Sequence, residues 1–378
     1  MSSSPLAGSE RSPLTELQKT LGNKWKNIEE ARQRTETTLK SLSTIIGGKP
    51  GEDTSVGPDT SVVVHGSLAR RECTQGSDLD WILLVDGVAD ASVQRRFLEV
   101  KNALSDANFE ELGLKRPGPE GTFGALAFSQ PIMHFIGGEE DSNSNTTRRV
   151  LLLLEAVPVG ERRGAFDRVR NGILQRYLDE DRGLLRESHI AKNMRWIPLF
   201  LLNDFARYWR TMAVDFAYKQ FDRGNRGYAL RSLKLGTSRK LLYASGLLAC
   251  FWCDPAISKN DRQKPNKQSL IDSLDTFLSW TPLERIAQFF QVHLCTPGSD
   301  PLRATATRLF GAYDAFLDLL NDHDKRLHLE QLKPSDEEND PVFIDARTKR
   351  REFRLAIQEM FLGEGSPLRQ YSIEKGVF

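Results

Sequence analysis

The stretch His65-Gly66-Ser67-Leu68-Ala69-Arg70-Arg71-Glu72-Cys73-Thr74-Gln75-Gly76-Ser77-Asp78-Leu79-Asp80-Trp81-Ile82-Leu83-Leu84-Val85 decides the fold. Just before it stands the β-branched run Val62-Val63-Val64, and its own last residues form a second apolar run, Leu79 to Val85. Short apolar runs bounded by glycine, serine and aspartate read as buried strands. The segment between them is long enough for a short helix and a turn. Asp78 and Asp80 stand two apart at the head of the second strand. Their side chains therefore leave one face, with Cα atoms roughly 6.5–7 Å apart, while Leu79 and Trp81 point to the other face and pack.

That pairing carries a chemical demand. Two bare carboxylates about 6 Å apart, at an effective dielectric near 20, repel by roughly 3 kcal/mol. A cation between them removes the penalty. Mg²⁺ or Mn²⁺, held by one or two carboxylates and by substrate phosphates, suits such a donor pair. Gly66 and Ser67, at the end of the first strand and the start of a helix, offer an approachable backbone amide and a hydroxyl to phosphate oxygens. A surface turn with two solvated aspartates is the bland alternative.

Working outward, Ser12-Pro13 reads as a helix start, and Leu14, Leu17, Leu21, Trp25 and Ile28 follow at helical spacing. One amphipathic helix is expected to run to about Ile46, before the glycine- and proline-rich loop 47–59. Residues 91–108 read as a helix with Val93, Phe97, Val100 and Leu104 on one face. One or two short strands are expected between Leu112 and Phe128, joined by the loop Pro117–Gly121. From Asn145 onward the pattern is helical: Arg148–Ala156, Phe166–Leu178, Ile197–Phe221, Ala229–Cys253, Gln268–Leu278, Leu283–Leu294, Ala304–Asn321 and Lys349–Phe361. The segment Lys325–Pro341 reads as an exposed linker. The expected organisation is an N-terminal helix (1–46), an α/β core (47–144), a helical domain (145–323), and a linker, helix and tail (324–378).

Composition limits the function classes. The chain has 378 residues, 39% of them hydrophobic, with 52 Lys and Arg against 51 Asp and Glu. No global field draws it to polyanions, so any phosphate is met by a local basic patch. No apolar run reaches the ~18 residues of a membrane span. The opening Met-Ser-Ser-Ser-Pro lacks a basic and an apolar region, so no secretion signal is expected. Four cysteines do not make a disulfide framework, which suits a reducing cytoplasm.

A Gly-Ser, a spacer of about ten residues and an Asp-x-Asp heading an apolar strand together resemble the DNA polymerase β-like nucleotidyltransferase superfamily. The layout is also similar to the uridylyltransferases acting on PII signalling proteins and to bacterial nucleotidyltransferases of antiphage defence operons. Leu153-Leu154-Glu155 and the helices after it carry that wider likeness. The resemblance implies an α+β fold, a nucleotidyltransferase core with a small mixed sheet followed by an α-helical domain. It implies Asp78 and Asp80 as catalytic metal ligands for Mg²⁺ or Mn²⁺ in a two-metal displacement, and Gly66 and Ser67 as nucleotide-binding residues. Arg231 and Lys234, with Ser238 beside them on one helix stripe, would meet the triphosphate; a solvated helix face is the alternative. The implied reaction moves a nucleotidyl group from an NTP or dNTP to a hydroxyl and releases pyrophosphate.

The acceptor stays open. It is another nucleotide, giving an oligonucleotide or a nucleotide signal for a partner effector protein, or else a protein, a tRNA or a small molecule. A catalytically inactive nucleotide sensor is the third reading, because the family's third carboxylate has no clear counterpart: the strand near Thr122–Phe128 carries none, and Glu155 and Glu120 are weak candidates. Tyr371 or Ser372 of the tail would serve as acceptor hydroxyls only if the tail reached the cleft. Cys250-Phe-Trp-Cys253 with His293 and Cys295 lacks the spacing of a zinc knuckle and reads as buried thiols. His65 reads as a strand-end residue rather than an acid or base. Arg207 and Arg210 with Asn203 form a second polar stripe opposite Leu201, Phe205, Trp209 and Met212, and Lys349-Arg350-Arg351 with Arg354 reads as a solvated helix face, with contact to a nucleic-acid product as the alternative.

Overall fold

The computed structural model describes residues 12–47, 59–115, 124–160, 162–181, 196–222, 224–259, 266–295 and 298–376. It is a mixed α+β protein, mostly helical, with a small four-stranded mixed sheet and a two-stranded ladder among the described residues. Among the described residues no helix is long and apolar enough to cross a membrane. Two compact units divide the chain: residues 29–176, and residues 1–28 with 177–378. The division falls elsewhere than at the expected boundaries of 46, 144 and 323.

The sheet unit is built on β1 (Thr60–His65), β3 (Trp81–Val85), β5 (Ala125–Phe128) and β6 (Ala156–Val159), in the order β5-β3-β1-β6. β1 runs antiparallel to both β3 and β6, and β3 runs parallel to β5. Two-residue strands β2 (Ser77–Asp78) and β4 (Leu114–Lys115) pair in parallel beside it. Every residue of β1 and β3 is buried, which is why their sequences read as continuous apolar runs rather than alternations. On one face Val62, Val64, Trp81 and Leu83 pack with Leu42 and Ile46 and with Val100 and Leu104, the predicted inner face of the helix Ala91–Asp106. On the other face the Phe166 amide donates to Ser61 Oγ at 3.2 Å and anchors the helix Gly164–Glu180.

β6 corrects the sequence reading, which runs a helix from Arg148 to Ala156. The helix Asn143–Leu154 stops at Glu155, and Ala156 begins a strand paired to β1. Pro158 is tolerated because β6 is an edge strand. The long first helix is likewise two helices. Pro13–Leu21, capped by the Ser12 hydroxyl as expected, ends at Gly22 in the left-handed conformation (φ 67°), and Lys26–Gly47 follows.

Within the helical unit, the N-terminal segment packs on C-terminal helices. Trp25 stacks on Phe310 at 4.5 Å, and the Ile28 amide and Asn27 side chain both donate to the Asp314 carboxylate at 2.9 Å. The expected linker is partly helix, since His323–Gln331 forms a helix of its own. The last long helix is Pro341–Leu362, capped by Asp340 and two turns longer than expected at its start. The span Ala229–Cys253 is interrupted: Tyr228–Lys234 passes through a π-helical turn, Leu235–Arg239, into Lys240–Trp252. Near the C-terminus Tyr371 packs against Phe251 at 5.8 Å. Residues 1–11, most of the 47–59 loop and the loop Pro117–Gly121 with Glu120 lie outside the described residues.

Candidate active site

The β1–β3 register sets Val64 opposite Trp81, so the next step along each chain brings His65 beside Asp80; the His65 amide donates to the Asp80 carbonyl at 2.8 Å. Gly66 then turns into the short helix Gly66–Ala69 with φ 69°, a conformation that favours glycine. A Cβ built on Gly66 would stand 2.8 Å from Asp80 Oδ2. The Asp80 carboxylate thus lies against the open face of the glycine, in space that any other residue would fill. A glycine is needed here twice over, for backbone angle and for room.

Asp78 reaches this region by a different route from the one expected. The strand does not begin at Leu79: Asp78 belongs to β2, in register with Lys115 of β4, and β3 starts only at Trp81. The exposure pattern survives the break. Leu79 and Trp81 are each 3% exposed, whereas Asp78 is exposed and Asp80 half-buried. The alternation matches extended chain with two acids turned toward solvent and two large apolar groups turned inward. Ser67 is half-buried at the first turn after Gly66.

Glu155 lies on the other flank of β1, immediately before β6. It is 3% exposed and ion-paired to Arg70 Nη1, while Arg70 Nε donates to Glu72 Oε2 at 2.8 Å. One guanidinium is thereby shared by two buried carboxylates. That pairing is absent from the sequence reading, because Arg70 sits 85 residues from Glu155. Among the described residues no group of three or more His, Cys, Asp and Glu side chains is placed to hold a metal. Asp78 and Asp80 remain the two-carboxylate donor set that the sequence offers, with no third ligand placed beside them among the described residues. That set fits Mg²⁺ or Mn²⁺, which complete their coordination with water and substrate phosphates.

His65 is the strand-end residue that the sequence suggests. It is 2% exposed and its Nδ1 lies 3.1 Å from the Glu155 carbonyl oxygen. Burial drives its pKa down from 6.5 to about 4, outweighing the opposing pull of Glu155, so the ring is neutral at pH 7. Protonation must therefore favour the unfolded chain. The stability held by the neutral ring is complete above pH 6.5 and is lost as pH falls from 6.5 to about 4, in total about 3 kcal/mol. Denaturant unfolding of wild type and His65→Gln across that window is expected to show a steeper acid loss in the wild type.

The remaining candidates belong to the helical unit. Arg231 is half-buried and its Nη1 donates to the Lys219 carbonyl at 3.4 Å; Ser238 is buried, its hydroxyl donating to the Lys234 carbonyl at 3.2 Å. Ser238 is thus turned inward, off the stripe expected for it. On the helix Leu199–Asp222, Tyr208 and Asp204 join Leu201 and Phe205 in the buried face, and Asp204 accepts from the Tyr177 hydroxyl. Cys250 and Cys253 are free, buried thiols whose pKa burial pushes up, and His293 Nε2 lies 2.9 Å from the Ile257 carbonyl oxygen. Tyr371 and Ser372 are both buried, which removes them as acceptor hydroxyls in this arrangement.

In comparisons with protein-family models, with curated proteins and with solved structures, nothing matches this chain.

Proposed function

We propose that the protein is a nucleotidyltransferase of the polymerase β-like kind, moving a nucleotidyl group from an NTP or dNTP to a hydroxyl with release of pyrophosphate. The observation that carries this reading is the carboxylate of Asp80 lying over Gly66, at the point where β1 hands the chain to Ser67. A phosphate-sized ligand needs a backbone it can approach, and the glycine supplies one directly beside an acidic donor. Asp78 and Asp80 would hold the divalent ion, and the ion when bound neutralises phosphate charge and stabilises the entering and leaving oxygens.

The chain's own residues do the positioning. Gly66 and Ser67 offer an amide and a hydroxyl to phosphate oxygens. β3 fixes Asp80 through its backbone pairing with His65 and through the buried Trp81. The Arg70 ion pairs with Glu72 and Glu155 hold the far flank of β1 in place. Arg231 and Lys234 belong to the helical unit and carry no part of this reading.

Template-independent synthesis of an oligonucleotide or nucleotide signal, of the kind used in bacterial antiphage defence, is the favoured form. Nucleotidylation of a protein, tRNA or small molecule is the second. A non-enzymatic sensor is favoured by one observation, the engagement of Glu155 with Arg70 in place of a third metal-binding carboxylate. The deciding experiment incubates the protein with each labelled NTP and dNTP and Mg²⁺ or Mn²⁺, and resolves the products. A ladder or cyclic product supports synthesis, and label on an added macromolecule supports modification. Binding without pyrophosphate release supports the sensor and refutes the enzyme.

A further inference from the structure

A second charged feature lies wholly within the helical unit. A cavity of about 550 Å³ is lined by Lys240, Arg347, Arg350, Arg351 and Arg354, together with Gly236 and Thr348. Four of these cations fall at i, i+3, i+4 and i+7 on the helix Pro341–Leu362, so they share one face and span about 10 Å. Lys240 comes from a different helix, Lys240–Trp252, and adds a fifth cation to the wall. Among the described residues none of the five lies within ion-pair distance of a carboxylate.

The site is constructed, not merely charged. Gly236 lies in the π-helical turn, and a Cβ there would come within 2.3 Å of Arg350 Cδ. The glycine lets the Arg350 stem cross the turn, and Arg350 Nη1 is then fixed by Ser232, donating to its hydroxyl at 2.7 Å and its carbonyl at 3.3 Å. Lys240 Nζ stands 5.6 Å over the Trp209 ring, which itself stacks on Tyr243. Arg351 and Arg354 are exposed and, among the described residues, have neither hydrogen bond nor ion pair. Burial lowers the Lys240 pKa, and Arg354 and Arg350 lower it further, while Glu337 is the carboxylate whose charge Arg347 and Arg350 feel. Such a concentration of positive charge, five cations with the Glu337 carboxylate felt nearby, is stabilised when an anion enters.

We propose that this cavity binds a compact polyphosphate, three or more linked phosphate groups either free or on a nucleotide, without needing a divalent cation. The charges surround a concavity and span about two helical turns, a shape that suits a short, densely charged ligand better than an extended strand. Nothing in this inference uses Asp78 or Asp80, so it stands or falls apart from the nucleotidyltransferase reading.

The test is calorimetric titration of the full chain with inorganic tripolyphosphate in EDTA, using wild type, Asp78→Asn/Asp80→Asn and Arg351→Ala/Arg354→Ala. Tripolyphosphate is expected to bind wild type and the aspartate variant equally, more tightly than orthophosphate, and more weakly as salt rises. Loss of Arg351 and Arg354, both exposed and without hydrogen bond or ion pair among the described residues, is expected to weaken it roughly tenfold or more. A nucleoside triphosphate titrated under the same conditions shows whether the nucleoside adds affinity. Equal binding by the arginine variant and wild type overturns the proposal. So does single-stranded oligonucleotide binding that tightens with length beyond tripolyphosphate, since that result would make the face a nucleic-acid surface.

Discussion

Asp80→Asn is expected to lower nucleotidyl transfer by about a thousandfold or more while leaving the fold intact. Asparagine keeps the shape of the side chain, so the packing over Gly66 is retained. What it loses is the negative charge that a divalent ion requires. Asp80 is only half-buried, and Asp78 beyond it is exposed, so removing one of two like charges is expected to leave the melting temperature unchanged or slightly raised. Pyrophosphate release and thermal unfolding, measured on the same preparation, separate loss of chemistry from loss of structure. Near-normal turnover in a folded Asp80→Asn protein would remove the site from the mechanism.

The second large effect is on stability. Arg149 and Asp141 form a bidentate pair, Nη1 to Oδ1 at 3.1 Å and Nη2 to Oδ2 at 2.9 Å, with both side chains fully buried. Arg149 also donates to the Ile132 carbonyl at 3.2 Å, and Asp141 accepts from the Gly137 amide at 3.1 Å. Arg149→Met strands a buried carboxylate and is expected to destabilise the sheet unit by about 3–5 kcal/mol. Removing both charges in Arg149→Met/Asp141→Leu is expected to recover a large part of that loss, because no charge is then left unpaired. Urea titrations of the two single variants and the double variant check this. A double variant as unstable as the sum of the singles would show that the pair is not energetically coupled.

How much of this was legible in the sequence depends on the range of the cause. β1, β3 and the helix Ala91–Asp106 were readable because local pattern and burial agree: β-branched and apolar runs for the strands, Val93, Val100 and Leu104 for the helix face. Gly66 and Asp80 could be linked only through the chemistry of a phosphate cradle beside acidic donors and the motif resemblance, and the antiparallel β1–β3 pairing supplies the contact. The break at Gly22 was hidden because the apolar spacing continues through it into Trp25 and Ile28. β6 was missed because its pairing with β1 lies about ninety residues away, and Leu151 to Leu154 pull the reading toward helix.

Charged groups were the least legible. Arg70 and Arg149 look like surface residues until partners 85 and 8 residues away bury them. Lys349, Arg350, Arg351 and Arg354 read as a solvated helix face, and Arg347 was not singled out, since nothing local reveals Lys240 across the cavity or the glycine that admits Arg350. Asp78 was placed on the face opposite Leu79, as its exposure matches, but in the wrong strand, because two-residue ladders such as β2–β4 have no sequence signal of their own.

The central claim is that Asp78 and Asp80 together hold a divalent ion beside Gly66 and Ser67. Electron paramagnetic resonance of Mn²⁺, titrated into the protein with a non-hydrolysable NTP analogue, reads that contact directly. Wild type is expected to hold the Mn²⁺–nucleotide complex, with affinity reduced about a hundredfold or more in Asp78→Asn/Asp80→Asn. Equal Mn²⁺ affinity in the two proteins, with the double variant folded, would contradict the account.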